Sequence, residues 1–269
     1  MQNTRKHSGG SRSNRGKPQR TDRECLYGRQ PIRELLKAGR RRIANLYVLS
    51  SIRPTPELDE VLALAEEKKI QVTKADGLRL EGMVGDVNHQ GLVADVYPFR
   101  YVSYKKMLSD AGQDKNALFL FLDGLEDPQN VGSLLRSAEA AGVTGVVIPE
   151  HRAVGITPAV VRASAGAAEH MIVSKVPNLV RCMKLLKDRG VWFAGLEAVE
   201  GATLISDTDL TGPLGIVVGS EGKGMRRLVR ENCDYLVKLP MFGNVSSLNA
   251  GVAGAIAMFE VLRQRGGAK

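Results

Sequence analysis

The sequence predicts an α/β protein, with a mostly parallel, helix-covered C-terminal sheet preceded by a smaller α/β domain. Three observations carry this. From residue 116 onward, short continuous apolar runs alternate with helical patterns, as strands buried on both faces of a parallel sheet require. Ahead of them, residues 24–98 show a β-α-β-α-β order on a smaller scale. Lastly, three strand–loop–helix junctions, near residues 127–130, 219–225 and 243–249, gather polar side chains and bare backbone at one edge of the later sheet. Ligands usually bind at such edges.

Taken in order, residues 1–23 contain no apolar residue after Met1 and are rich in Ser, Gly, Asn, Arg and Lys. They cannot bury enough surface to offset ordering entropy, so a disordered basic arm is expected. It either contacts RNA or serves as a solubilising tail. In 24–98, Ile32, Leu35 and Leu36 fall at helical spacing and Gly39 ends that helix. Residues 45–50 read as a strand, and Pro56 opens a helix whose apolar face is Leu58, Val61, Leu62 and Leu64. A short strand at 70–72, a helix at 75–83 and a strand at 91–97 complete the unit. Arg40, Arg41 and Arg42 either meet phosphate or form a solvated helix end. Residues 99–114 are a connecting segment, with room for a short helix. The second domain, 115–269, has strands at 117–122, 145–148, 171–176, 191–196, 214–218 and 235–239. Helices are expected at 131–141, 158–169, 179–189, 225–231 and 248–264.

Composition narrows the function. The net charge is +9, and residues 1–24 hold seven Lys or Arg against two acids. Such a protein is drawn to polyanions before any specific contact forms. No apolar run reaches the roughly 18–20 residues of a membrane span, and no apolar segment follows the basic start as a secretory signal requires. Cys25, Cys182 and Cys233 are scattered, so neither a disulfide framework nor a zinc site is expected, and a reducing compartment fits. His7, His89, His151 and His170 are isolated, without metal-ligand spacing, and His89 reads as a local hydrogen-bonder.

Familiar nucleotide motifs fail. There is no Gly-x-Gly-x-x-Gly after a first strand, and in 219–225 Lys223 is followed by Gly rather than Ser or Thr. A serine nucleophile at Ser246 or Ser247 lacks both the Gly-x-Ser-x-Gly elbow and a placed histidine.

Taken together, the junctions resemble the SPOUT-class, TrmH-type RNA ribose 2′-O-methyltransferases. Residues 130–136 (NVGSLLR) resemble the first motif of that family and 218–224 (VGSEGKG) the second. Residues 239–241 (LPM) through 247–249 (SLN) resemble the third, and the likeness extends over about 116–266. Residues 24–98, with 87–91 (VNHQG), are similar to the substrate-binding domain of the 23S rRNA guanosine 2′-O-methyltransferases in this group. One departure is Ala250-Gly251, where many members carry Val-Ser. Altered packing near the cofactor is expected there.

The resemblance implies a C-terminal domain tied in a trefoil knot, a topology no periodicity predicts. It implies S-adenosylmethionine as cofactor, bound by Leu196, Gly219, Leu239 and Leu248, and a cytoplasmic homodimer whose site is completed across the interface. It places catalysis on Asn130, Arg136, Glu221, Ser247 and Asn249, with no metal. Arg136 is either a clamp on the developing alkoxide or, as proposed for the family, the base itself. Glu221 would fix Arg136 or Asn249. The implied partner is large-subunit rRNA, most simply at a guanosine. The alternatives are tRNA, or a non-catalytic RNA-binding or ribosome-assembly role that keeps the fold.

Overall fold

The computed structural model describes residues 23–111, 114–245 and 247–266. The basic arm lies outside these, except for Arg23, which pairs with Asp95 at 2.7 Å.

The N-terminal part runs β1 (Glu24–Tyr27), α1 (Arg29–Ala38), β2 (Ile43–Leu49), α2 (Pro56–Glu67), β3 (Val72–Ala75), α3 (Gly77–Val84) and β4 (Leu92–Val96). Its four strands are ordered β1-β4-β2-β3, with β4 antiparallel to both β1 and β2. Two details depart from the sequence expectation. The four-residue β1 is a strand because β4 pairs with it from far along the chain, and its own pattern is too short to announce it. The strand expected at 70–72 begins at Val72 instead. Lys69 takes φ 55° and Ile70 donates its N–H to the Ala65 carbonyl, so Ile70 closes the end of α2 as the apolar residue of a helix-terminating turn.

α4 (Tyr104–Ala111) leads into the second sheet. Its strands are β5 (Leu118–Asp123), β6 (Gly145–Pro149), β7 (Val173–Val176), β8 (Trp192–Leu196), β9 (Thr203–Leu204), β10 (Leu214–Gly219) and β11 (Tyr235–Lys238). The order is β7-β6-β5-β10-β8-β11-β9, and the pairings are parallel. The helices are α5 (Pro128–Ala140), α6 (Pro158–Ala163), α7 (Leu179–Lys187), α8 (Arg227–Arg230) and α9 (Ala250–Gln264). The run at β5 is apolar throughout because both its faces are covered. Leu118, Leu120 and Leu122 join the core under α5 and α9, while Phe119 and Phe121 join the core under α4 and α7.

The helix expected over 158–169 is broken. Ala165 and Gly166 take φ 51° and 90°, and a single 3-10 turn (Ala167–Glu169) follows. The break lets the chain run against α1, where a Cβ on Gly166 would lie 2.7 Å from the Glu34 Cβ. This junction also takes two of the arginines expected to meet phosphate or solvent. Arg40 donates to the His170 and Met171 carbonyls at 2.8 and 3.0 Å. Arg41 is buried between Glu24 (3.2 Å) and Glu169 (3.5 Å), over the Phe99 ring. Arg42 instead lies over Tyr97, 4.6 Å from the ring centroid. Burial pushes the Glu169 carboxyl above the usual range, with the Arg41 guanidinium opposing. Removing one partner of a buried pair strands the other charge. Arg41→Met is therefore expected to cost about 3–5 kcal/mol in urea unfolding. A change within the error of the measurement would show that the cluster does not hold the N-terminal sheet unit against the second sheet unit.

Candidate active site

The site forms where β8, β10 and β11 end and α9 begins. A cavity of about 860 Å³ opens there, within the roughly 300–1,000 Å³ of small-molecule sites. Leu196, Val218, Leu239 and Leu248 give it apolar walls, and residues 219–224 supply backbone. Glu197, Lys238, Ser247 and Asn249 add polar groups. The four residues expected to hold the cofactor all line this cavity, as do Glu221, Ser247 and Asn249.

The loop at 219–224 is tight for a local reason. Ser220 and Gly224 exchange backbone hydrogen bonds at 3.2 and 2.9 Å, with Gly222 and Gly224 at φ 76° and 66°. Two ion pairs pin the chain that leaves it. Asp123, fully buried at the end of β5, accepts from the Arg226 backbone N–H (2.7 Å) and Nε (2.6 Å). Glu197, just beyond β8, takes both arms of Arg230 at 2.6 and 2.5 Å. The sequence reading missed these four residues. The available signal was an acid standing directly after an apolar strand, at Asp123 and Glu197.

Glu221 joins the three junctions. Its Oε1 accepts from Asn130 Nδ2 (3.1 Å), Asn249 Nδ2 (2.8 Å) and the Ala250 backbone N–H (3.2 Å). Asn249 Nδ2 also donates to Asn130 Oδ1 at 2.6 Å. Each asparagine sits at a helix start. Asp127 caps α5 by accepting from the Gln129 and Asn130 N–H groups, and Asn249 caps α9 by accepting from Val252 N–H. The carboxylate also meets the positive end of α9. Gly251 lets α9 approach α5, since a Cβ there would lie 3.2 Å from the Ser133 Cβ.

Arg136 is apart from this network. It is exposed on α5, lines no part of the cavity, and makes no hydrogen bond or ion pair with the described residues. Six residues after Asn130, it stands about 9 Å further along the helix. Glu221 therefore fixes Asn249 and Asn130, and not Arg136. Ser246 lies outside the described residues.

Among the described residues, no group of three or more His, Cys, Asp or Glu is arranged to hold a metal ion. No helix among them is long and apolar enough to cross a membrane. Burial pushes the Cys182 and Cys233 thiols up to about 12, so neither is a ready nucleophile. His89 accepts the Gly91 backbone N–H at 3.0 Å, a local role.

Two family models match this chain. The SpoU rRNA Methylase family covers residues 117–259, and the RNA 2′-O ribose methyltransferase substrate-binding family covers 25–102. A Pseudomonas putida protein named 23S rRNA (guanosine-2′-O-)-methyltransferase RlmB is 43% identical, over 90% of this chain and 97% of its own. A Bacillus subtilis protein named putative TrmH family tRNA/rRNA methyltransferase YacO is also 43% identical, over 90% and 96%. The SpoU methyltransferase AviRb of Streptomyces viridochromogenes superposes with a TM-score of 0.75 at 25% identity, covering 94% of this chain and 93% of that one. A second structure of AviRb carries the cofactor AdoMet. The matched models cover both sheets and all three junctions, so the chain belongs to the SpoU rRNA methylase family.

Proposed function

We propose that this chain transfers a methyl group from S-adenosylmethionine to a ribose 2′-hydroxyl of large-subunit (23S) rRNA, at a guanosine. The observation that carries this reading is the cavity at the end of β8, β10 and β11, beside which Glu221 binds the start of α9 to the start of α5. The named activity of the Pseudomonas putida relative supports the substrate. The division that goes with it is a basic arm at 1–23, a substrate-binding domain at 24–98, a linker at 99–114 and a catalytic domain at 115–269. We place a trefoil knot in the last of these, and the enzyme in the cytoplasm.

The cavity fits the cofactor. Leu196, Leu239 and Leu248 provide an apolar slot for an adenine, and Gly219, with the Gly224–Met225 backbone closed against its missing Cβ, adds main-chain wall. When bound, the cofactor supplies a methyl group already activated on sulfonium. The protein then has to align the hydroxyl and favour loss of its proton. Glu221 fixes Asn130 and Asn249, and Ser247 and Asn249 face the cavity to position the nucleotide. A guanidinium is a poor general base and a good fork of donors, so Arg136 acts as an electrostatic clamp on the developing alkoxide rather than as the base.

The distance of Arg136 from the cavity favours action on the site of a second copy. Val252, Ile256 and Phe259 form an exposed apolar stripe on α9, the helix packed against the one that carries Arg136. A homodimer that covers this stripe brings Arg136 to the partner's cavity.

The test is nucleoside mass spectrometry on RNA from a strain lacking the gene, treated with purified protein and S-adenosylmethionine. New 2′-O-methylguanosine in large-subunit rRNA alone is expected. The same product in tRNA would keep the chemistry and overturn the substrate. No gain in rRNA, tRNA or ribosome precursors, from folded protein with cofactor supplied, would leave a non-catalytic RNA-binding role.

A further inference from the structure

A second cavity lies in the N-terminal domain, at the edge where β1 and β2 end and β4 begins. It is an open depression of about 370 Å³ lined by Arg29, Leu49, Ile52, Gln90 and Gly91. It shares no lining residue with the cavity at the C-terminal sheet. Leu49 and Ile52 form an apolar wall, and Arg29 and Gln90 form a polar rim. The rim is rigid. The Arg29 backbone N–H donates to Gln90 Oε1 at 2.9 Å, and its side chain donates through Nη1 to Thr55 Oγ1 at 3.0 Å. The Asn88 side chain accepts the Gln90 N–H at 3.3 Å and His89 Nδ1 accepts that of Gly91 at 3.0 Å, holding these two residues at φ 55° and 78°.

Two donors on this rim are unspent. Arg29 Nη2 and Gln90 Nε2 make no hydrogen bond with the described residues. A second cation stands beside them from the other domain. Arg162, on α6, reaches to 2.7 Å from where a Cβ on Gly28 would be, and Gln90 Oε1 lies 3.4 Å from the same point. Neither Arg29 nor Arg162 forms an ion pair among the described residues.

We propose that this pocket receives one unpaired nucleobase of the RNA substrate, at a nucleotide other than the one methylated. A base presents an apolar face to Leu49 and Ile52 and edge acceptors to the two free donors. A phosphate alone would leave the apolar wall unused. The flanking phosphates meet the guanidinium groups of Arg29 and Arg162, one from each domain. Only an unstacked, single-stranded base can enter, because the edges and faces of a paired base are already taken. This rests on the RNA-methyltransferase reading for the choice of RNA, and it adds the element by which the small domain selects unpaired structure.

The experiment uses the full-length protein with labelled isoleucine methyl groups. It is titrated with single-stranded hexauridylate and hexaadenylate, and with a short RNA duplex. The Ile52 methyl resonance is expected to shift saturably with the single strands and to stay in place with the duplex. Gln90→Glu keeps the acceptor for the Arg29 N–H, so the turn stays folded, but it replaces the free donor with an anionic oxygen. It is expected to raise KM for an rRNA transcript at least about tenfold, with kcat and cofactor affinity held. An Ile52 methyl that ignores single strands, or that moves equally with the duplex, overturns the proposal. So does a Gln90→Glu enzyme with unchanged KM. If single strands move Ile52 but no RNA is methylated, the pocket stands and the reaction reading fails.

Discussion

Arg136→Ala is expected to lower methyl transfer at least about a hundredfold, the loss typical when a donor aimed at developing anionic charge is removed. Fold and cofactor affinity should be unchanged, because Arg136 is exposed and makes no hydrogen bond or ion pair with the described residues. Arg136→Lys keeps the charge but loses the planar fork, so it should recover only part of the rate. Single-turnover assays with isothermal titration of the cofactor separate the two quantities. The position of Arg136 outside the cavity adds a sharper expectation. Mixing Arg136→Ala protein with a variant defective only in cofactor binding should restore activity that neither has alone. Mixed dimers then contain one intact cavity facing one intact arginine. Absence of complementation, with mixed dimers shown to form, would place Arg136 at its own chain's site. Full turnover by Arg136→Ala would remove it from the mechanism.

The second large effect is expected at Gly219. A Cβ there would sit 2.4 Å from the Gly224 carbonyl carbon and the Met225 nitrogen, and 2.7 Å from the Gly224 oxygen. These are backbone atoms, so no side chain can move aside to relieve the clash. The loop cannot simply slide, because Asp123 holds Arg226 and Glu197 holds Arg230 immediately after it. Gly219→Ala should therefore lower stability by about 1–3 kcal/mol, the usual cost of overpacking. Cofactor affinity should fall by more than tenfold, since the displaced backbone is the wall of the cavity. Gly243, in the third-motif loop, has nothing within 4 Å of its missing Cβ. Gly243→Ala is the matched control and should change neither quantity. Wild-type cofactor binding by Gly219→Ala would show that this loop does not form the cofactor wall.

The physics of local pattern explains which parts were legible in the sequence. A strand buried on both faces reads as a near-continuous apolar run, so β5, up to its final Asp123, and β10 announce themselves without an alignment. Loops that approach a ligand need glycine, asparagine and serine, so the three junctions were visible as composition. Leu196, Gly219, Glu221, Leu239, Ser247, Leu248 and Asn249, named from motif position, all line the cavity, whereas Asn130 and Arg136 do not. Two kinds of feature could not be seen. β1 exists only because β4 pairs with it, and the helix at 158–169 breaks only because α1 occupies the space beside Gly166. Similarly, Arg40, Arg41 and Arg42 are one basic run in the sequence but have three different partners in the fold.

By itself, then, the sequence determined the α/β class, the site loops and the family, because each is written in short stretches of residue type and spacing. The tertiary structure decided that Glu221 serves Asn130 and Asn249 rather than Arg136, that Arg136 stands away from the cavity, and that Arg41 and Glu169 lie buried together where the N-terminal elements meet the 167–169 turn. Those outcomes depend on distances between residues far apart in the chain. No local pattern encodes such distances, because they are set only when the sheets and helices pack.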